Sequence, residues 1–288
     1  MTDTRENYDD IKRMNASTIV HGMKSMWALR CAIDGGFKSS PAMEFGSQYH
    51  CLILEPEEFE RTHAVMPNFS KHEDNVDGKG GRSESGNTLW AKRRKAQFFS
   101  DCRDEGREII TQENYDKAQQ MIAAIRRNKV ATEVLRTSTK EVTLLGEIGG
   151  VEFKGRVDLL GPTILADIKG TPDATDHTFG RSMANINTVF KMSIYRELLR
   201  QSQRDPEEVL LIAVESSGFF DSCVYSIPEE ALDDGFRKVE RVVERYKRCI
   251  ERDKWPGLQD GMSSPMPLFV PLWAMPDDEE FSWKDIDV

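Results

Sequence analysis

The run EVTLLGEIGGVEFKGRVDLLGPTILADIKG, residues 141–170, constrains the fold more than any other stretch of the chain. It reads as three short strands, EVTLLGEI, VEFKGRVDLL and TILADIKG, joined by tight connections. Side chains alternate faces along a strand. In the second strand that rule gathers Val151, Phe153, Val157 and Leu159 on an apolar face, with Glu152, Lys154, Arg156 and Asp158 opposite. In the third, Ile164, Ala166 and Ile168 point one way, and Leu165, Asp167 and Lys169 the other. If Gly161, Pro162, Thr163 and Ile164 form a four-residue loop, Leu160 pairs with Leu165 and Asp158 falls opposite Asp167.

Directly opposed residues have Cβ atoms roughly 4.5–5.5 Å apart. Two carboxylates that close repel each other unless a proton or a cation sits between them. A hard divalent cation such as Mg²⁺, held by one or two carboxylates together with water and phosphate oxygens, removes the conflict. Lys169 points to the same side. The other reading is a solvated hairpin edge with ion pairs across the strands, and D-x-K spacing alone does not separate the two.

Helical patterns flank this sheet. NASTIVHGMKSMWALRCAI has cap-type residues at Asn15 and Ser17, then Ile19, Met23, Met26, Trp27 and Cys31 at helical spacing. MEFGSQYHCLILEPEEFE predicts a second helix ending before Pro56, and Gly46, one turn before His50, fits a close backbone approach. Residues 68–88 are polar, glycine-rich and without period, and predict a flexible loop. TQENYDKAQQMIAAIRRN places Tyr115, Ala118, Met121, Ile122 and Ile125 on one helical face. A helix follows over 185–202, then a buried strand, EVLLIAVES, and an edge strand, SCVYSI. Ser226 and Glu229 form a capping box before a long helix with Leu232, Phe236, Val239, Val243 and Ile250 at three- and four-residue spacing. The expected fold is therefore mixed α/β (α+β), a central β-sheet flanked by helices. The chain reads as a single domain, 1–288: a helical part over 1–67 that carries His50, the loop 68–88, a core over 89–255, and a tail over 256–288. That tail is rich in proline and tryptophan, ends acidic, and is expected to wrap the surface or dock on a partner.

Composition removes several classes. The five cysteines contain no CxxC pair, which argues against a disulfide framework, a zinc site or an iron–sulfur cluster. A net charge of −10 argues against a surface coated for nucleic acid, though a local basic channel on an acidic body stays compatible with it. No apolar run reaches membrane-spanning length and the start has no signal-peptide pattern, so a soluble, cytoplasmic protein without membrane partners is expected. The segment WAKRRKAQFF is the main basic candidate: Lys92, Arg93, Arg94 and Lys95 would contact phosphates, with an aromatic ring stacking on an unpaired end. A solvated helix face over buried aromatics explains the same segment. Arg156, on the strand face of Asp158, is the second DNA-binding candidate.

The segment VDLLGPTILADIKG resembles the core motif of the PD-(D/E)xK nuclease superfamily. FGSQYHCLILEPEEFE is similar to the G-(S/T)-x-x-H-x-x-x-L-E-P-x-x-F helix of RecE-type (exodeoxyribonuclease VIII-like) phage exonucleases, and NINTVFKMSIYRELL to their Q-x-x-x-Y helix. WPGL and PLFVPLWA look like that family's tail, so the similarity covers residues 15–275 in patches, in the order H…E…D…D-x-K…Y.

The resemblance implies a restriction-endonuclease-like core in which Asp158 and Asp167 ligate Mg²⁺ or Mn²⁺, helped by the Ile168 carbonyl and His50. Lys169 would orient the attacking water and stabilise developing charge, and Glu141 would join the site. Lys191 stands where the family has glutamine, four residues before Tyr195; an ammonium only donates hydrogen bonds, whereas an amide also accepts them. The implied activity is metal-dependent digestion of one strand of linear duplex DNA, 5′→3′, for recombination by single-strand annealing. A single-strand annealing recombinase, a homo-oligomeric ring and a bacterial or phage-infected host cell belong to the same implication. Two alternatives remain open: another nuclease of the superfamily acting in repair, restriction or CRISPR adaptation, and a DNA-end-binding homologue whose catalysis has lapsed.

Overall fold

A computed structural model describes residues 5–36 and 38–271. Its N-terminal part contains α1 (Arg5–Asp10), β1 (Met14–Asn15), α2 (Ala16–Ile19), a 3-10 turn (Val20–Met23), α3 (Met26–Ile33), α4 (Pro41–Leu54), α5 (Pro56–Thr62) and β2 (His63–Met66). Then come α6 (Leu89–Asp104), β3 (Glu108–Thr111), α7 (Gln112–Arg127), α8 (Lys129–Thr137), β4 (Thr139–Ile148), β5 (Val151–Leu160) and β6 (Ile164–Thr171). The remainder is α9 (Asp176–Asn185), α10 (Thr188–Gln201), β7 (Glu208–Glu215), β8 (Ser222–Ser226) and α11 (Glu229–Arg252). Residues 272–288, most of the expected tail, lie outside the described residues.

The alternating run becomes the centre of a six-stranded mixed sheet. Gly149 and Gly150, at φ 58° and 82°, turn β4 back onto β5, a conformation only glycine adopts without strain. β5 pairs antiparallel with β4 along its length and antiparallel with β6 at its end, with Leu160 opposite Leu165 and Leu159 opposite Ala166 as the turn length requires. β6 runs parallel to β7, and β8 closes that edge antiparallel. The same edge of β5 that meets β6 at Leu159–Leu160 meets β1 in parallel at Phe153–Lys154. Between those contacts β1 and β6 leave β5 from Gly155 to Asp158 without a ladder partner on that side.

Helices cover both faces. On one, α2, α3, α9, α10 and α11 pack on Leu144, Phe153, Val157, Leu165, Leu211 and Ala213. On the other, α4, α7 and α8 pack on Leu159, Ala166, Ile168, Leu210 and Ile212. A smaller parallel pair, β2 with β3, sits beside α5, α6 and α7. No helix among the described residues is long and apolar enough to cross a membrane.

Several local expectations need correction. Val157 and Leu159, two residues apart, lie in opposite cores, so strict alternation fails at Asp158. Asn15 alone caps α2, accepting from Thr18 N at 2.8 Å, while Ser17 lies inside the helix. Trp27, part of the apolar pattern of α3, is 56% exposed. The capping box before α11 does not form: Ser226 ends β8, and Pro228 is the N-cap without a side-chain hydrogen bond. Near the end of α11 Cys249 is buried instead of Ile250, which is 56% exposed. The helix expected over 185–202 is α10, which starts at Thr188 after left-handed Asn187 (φ 54°), whereas α9 ahead of it was not expected. A Cβ on Gly46 would meet nothing within 4 Å, so no close backbone approach requires that glycine. The segment 68–88 holds one isolated bridge, Val76–Arg82, and is gathered around buried Asn75. The Asn75 amide donates to the carbonyls of Ser70, Ser83 and Ser85 at 2.9, 2.7 and 3.1 Å.

Candidate functional site

The unpartnered stretch of β5 is where the charged residues converge. Asp158 ends it, and there the ladders on both sides fail: the β4 register runs Lys140–Leu159 and Val142–Val157 but omits Glu141–Asp158, and the β6 ladder stops at Leu159. In place of the ladder bond, the Ile168 amide donates to Asp158 Oδ2 at 2.8 Å. Opposite Asp158, Glu141 takes a left-handed backbone, φ 53°. For a residue other than glycine this costs about 1–3 kcal/mol, and such strain concentrates at functional sites.

α4 delivers His50 from the side. Ser40 caps the helix, accepting from Met43 N, and Pro41 takes the first turn, where its missing N–H costs nothing. Tyr49, fully buried, anchors α4 in the core, so the neighbouring His50 reaches the strand end. Its Nδ1 lies 3.3 Å from Asp158 Oδ2, and the two side chains are 22% and 13% exposed. His50, Glu141 and Asp158 form a group whose ligand atoms all lie within 4.8 Å of one another. One imidazole nitrogen and two carboxylates suit a divalent cation such as Mn²⁺, and Mg²⁺ with more water.

Asp167 and Lys169 stand beside this group rather than in it. Lys169 Nζ is ion-paired with Asp167 Oδ2 and lies 3.4 Å from the Ile168 carbonyl. From α10, Tyr195 packs over β5 where Gly155 has no side chain; a Cβ there would come within 2.8 Å of the ring. Lys191, one turn earlier on the same helix, is within electrostatic reach of Lys169 and Asp167. Arg156 is buried, paired through Nε with Glu141 at 2.7 Å and through Nη2 with Glu55 at 3.1 Å, so its guanidinium serves two carboxylates and not the surface. Glu55 was not among the sequence candidates, although the L-E-P motif contains it.

The electrostatics follow from burial and these partners. Burial opposes ionisation of both His50 and Asp158, yet each outweighs it for the other: the His50 pKa is raised and that of Asp158 lowered, the latter also by Lys169 and the Ile168 N–H. Asp167 is raised by burial and the Asp158 charge despite Lys169. For Lys169, burial is overcome by Asp167 and Asp158, which raise its pKa. Burial pushes Glu141 up to about 7, with Asp158 adding and Arg156 opposing. Burial, then the Lys169 charge, lower Lys191, while Tyr195 is raised by burial and by Asp167. More negative charge is packed here than its own counter-charges hold ionised.

The basic candidates lie elsewhere, on α6 beside β3. Lys92, Arg93, Arg94 and Lys95 are all exposed. Arg94 covers the Trp90 ring at 6.0 Å and Lys95 the Phe99 ring at 5.8 Å, while His72 of the 68–88 segment stacks on Trp90 at 4.9 Å.

Comparison with known families matches residues 16–262 to the family described as a PDDEXK-like domain of unknown function (DUF3799). Among solved structures, a chain from Eubacterium rectale, provisionally named an exonuclease, superposes with a TM-score of 0.61 at 16% identity, covering 93% of this chain and 97% of that one. A phage-related exonuclease from Haemophilus somnus 129PT matches with a TM-score of 0.33 at 13% identity, over 67% of this chain and 97% of its own. The first likeness shows the fold; the second is too loose to carry an argument. A search of curated proteins found no match.

Proposed function

Because the chain belongs to the PDDEXK-like family DUF3799, we propose that it is a metal-dependent exodeoxyribonuclease that degrades one strand of linear duplex DNA. The observation that carries this reading is the convergence of His50, Glu141 and Asp158 on the opening in the β5 ladder, flanked by Asp167 and Lys169. His50, Glu141 and Asp158 would hold Mg²⁺ or Mn²⁺, with Asp167 and the Ile168 carbonyl at its margin. Such a cation polarises the phosphodiester and lowers the pKa of water bound to it.

The chain's own residues supply the rest. Lys169, with its pKa raised by two carboxylates, stays an ammonium at neutral pH. It therefore acts as a donor that orients water and stabilises developing charge, and is a poor general base. Tyr195, neutral and half-buried over Gly155, packs against the β5 backbone beside Asp158. Lys191 faces the same side and offers a cation or donor to a phosphate where the family places an amide. Lys92, Arg93, Arg94 and Lys95 form the basic face that would grip the duplex backbone. Polarity 5′→3′, a ring-shaped oligomer and an annealing recombinase as partner extend this reading through the RecE-type resemblance.

The test is Asp167→Ala beside wild type on linear duplex DNA with Mg²⁺ or Mn²⁺. The reading expects metal-dependent nucleotide release to vanish while DNA binding persists. Release at the wild-type rate from the variant would remove Asp167 from the site, and no release from wild type would support the lapsed homologue instead.

A further inference from the structure

Arg156 precedes Asp158 by two residues on β5, and its side chain is only 9% exposed. One planar guanidinium meets Glu141 with Nε at 2.7 Å and Glu55 with Nη2 at 3.1 Å. Glu141 belongs to the His50–Asp158 group; Glu55 does not. Glu55 is the C-cap of α4, five residues beyond His50, so one helix end delivers both a member of that group and the residue that holds Arg156. A buried charge is tolerated when it is paired, and Arg156 has two partners for one charge. The fork is specific to arginine, because Nη2 hydrogen-bonds Glu55 while Nε keeps a close ion pair with Glu141, and a lysine ammonium, a compact point charge, has no second nitrogen to serve both.

The strained backbone at Glu141 gives the second observation. A φ of 53° inside a strand lifts this carboxylate out of the ladder toward His50 and Asp158. Strain of that kind persists only where surrounding contacts over-determine it, and the Arg156 ion pair is the contact that meets the carboxylate itself.

We infer that Arg156, clamped by Glu55, is a positioning residue: it holds the Glu141 carboxylate toward His50 and Asp158 and thereby sets the affinity of the site for a divalent cation. The inference rests on the metal site of the proposed nuclease, not on DNA cleavage. Losing Glu55 leaves the whole Arg156 charge on Glu141, where it competes with the incoming cation. Shortening Arg156 to lysine breaks the fork and releases Glu141 from its orientation. Residues that orient ligands from behind change metal affinity by about 10–100-fold when altered.

The experiment titrates Mn²⁺ into full-length, DNA-free protein and follows free Mn²⁺ by electron paramagnetic resonance, for wild type, Glu55→Gln and Arg156→Lys, with thermal melts in EDTA alongside. Both variants are expected to bind Mn²⁺ about 10–100-fold more weakly, and to need correspondingly more Mn²⁺ for half-maximal cleavage, with the rate recovering at saturation. Mn²⁺ affinities unchanged from wild type in both variants, whatever the melts show, would make Arg156 a structural ion pair and overturn the inference. If Arg156→Lys does not fold, Glu55→Gln, nearly isosteric, decides alone. Wild-type protein that takes up no Mn²⁺ overturns both the inference and the metal site. Wild-type protein that binds Mn²⁺ but cuts no DNA sinks the nuclease reading, and the same titrations still decide the role of Arg156.

Discussion

Glu141 ties the stability of the metal-free protein to pH with a sign opposite to that of most carboxylates. Burial and Asp158 raise its pKa from 4.5 to about 7 in the folded chain. Between those values the folded state holds a proton that the unfolded state has released, so stability falls as pH rises through the window. At ~1.4 kcal/mol per pKa unit the full effect above pH 7 is about 3 kcal/mol, and the 15% exposure of the side chain leaves most of it intact. Glu141→Gln, which mimics the protonated acid, removes this contribution. In EDTA, guanidinium melts of wild type and variant should agree near pH 4.5 and diverge to about 3 kcal/mol in favour of the variant by pH 8. The comparison isolates Glu141, because His50 and Asp158 titrate in both proteins. Adding Mn²⁺ at pH 8 should reverse the order, since the cation binds the ionised carboxylate of wild type. Parallel pH curves in EDTA, or an Mn²⁺ effect of equal size in both proteins, would refute the reasoning.

Three further outcomes rest on named residues. Gly155→Ala places a Cβ within 2.8 Å of the Tyr195 ring; overpacking of this kind should cost about 1–3 kcal/mol by denaturant melts, and wild-type stability would show that the ring is not held there. Replacing Lys92, Arg93, Arg94 and Lys95 together by alanine should weaken DNA binding at low salt and flatten the dependence of log K on log salt by ~0.9 for each phosphate no longer neutralised. An unchanged slope in filter-binding assays would take α6 out of the interface. Lys191→Gln relieves an ammonium disfavoured by burial and Lys169; if about 1 kcal/mol is recovered, Tm in EDTA should rise by ~2–4 °C, and a fall in Tm would show that the charge is instead held by Asp167.

The strand run was legible because its constraints are local. Alternation and two turns set the limits of β5 at Val151 and Leu160, and a four-residue loop set Leu160 against Leu165. The place where Asp158 and Asp167 would meet was also legible, since the register puts them at the point where the ladder stops. What happens there was not. No residue pattern announces a left-handed Glu141, and without it the switch of Val157 and Leu159 between cores cannot be foreseen; the family resemblance, not the strand pattern, pointed to Glu141 beside His50 and Asp158. The Arg156–Glu55 contact spans 101 residues and is set by how α4 docks on the sheet. Parallel pairings fail for the same reason: β2 with β3, and two-residue β1 with β5, are tertiary events. At Ser226 and Glu229 the spacing of a capping box is present, but β8 claims the serine first.

The central claim is that the opening at Asp158 hydrolyses DNA with a divalent cation. The most direct measurement incubates wild-type protein with linear duplex DNA labelled at either the 5′ or the 3′ end of one strand, with Mg²⁺, with Mn²⁺ and with EDTA. The account predicts mononucleotide release from the 5′-labelled end, progressive shortening of the 3′-labelled strand from its far end, and no reaction in EDTA. Intact duplex under all three conditions would contradict it.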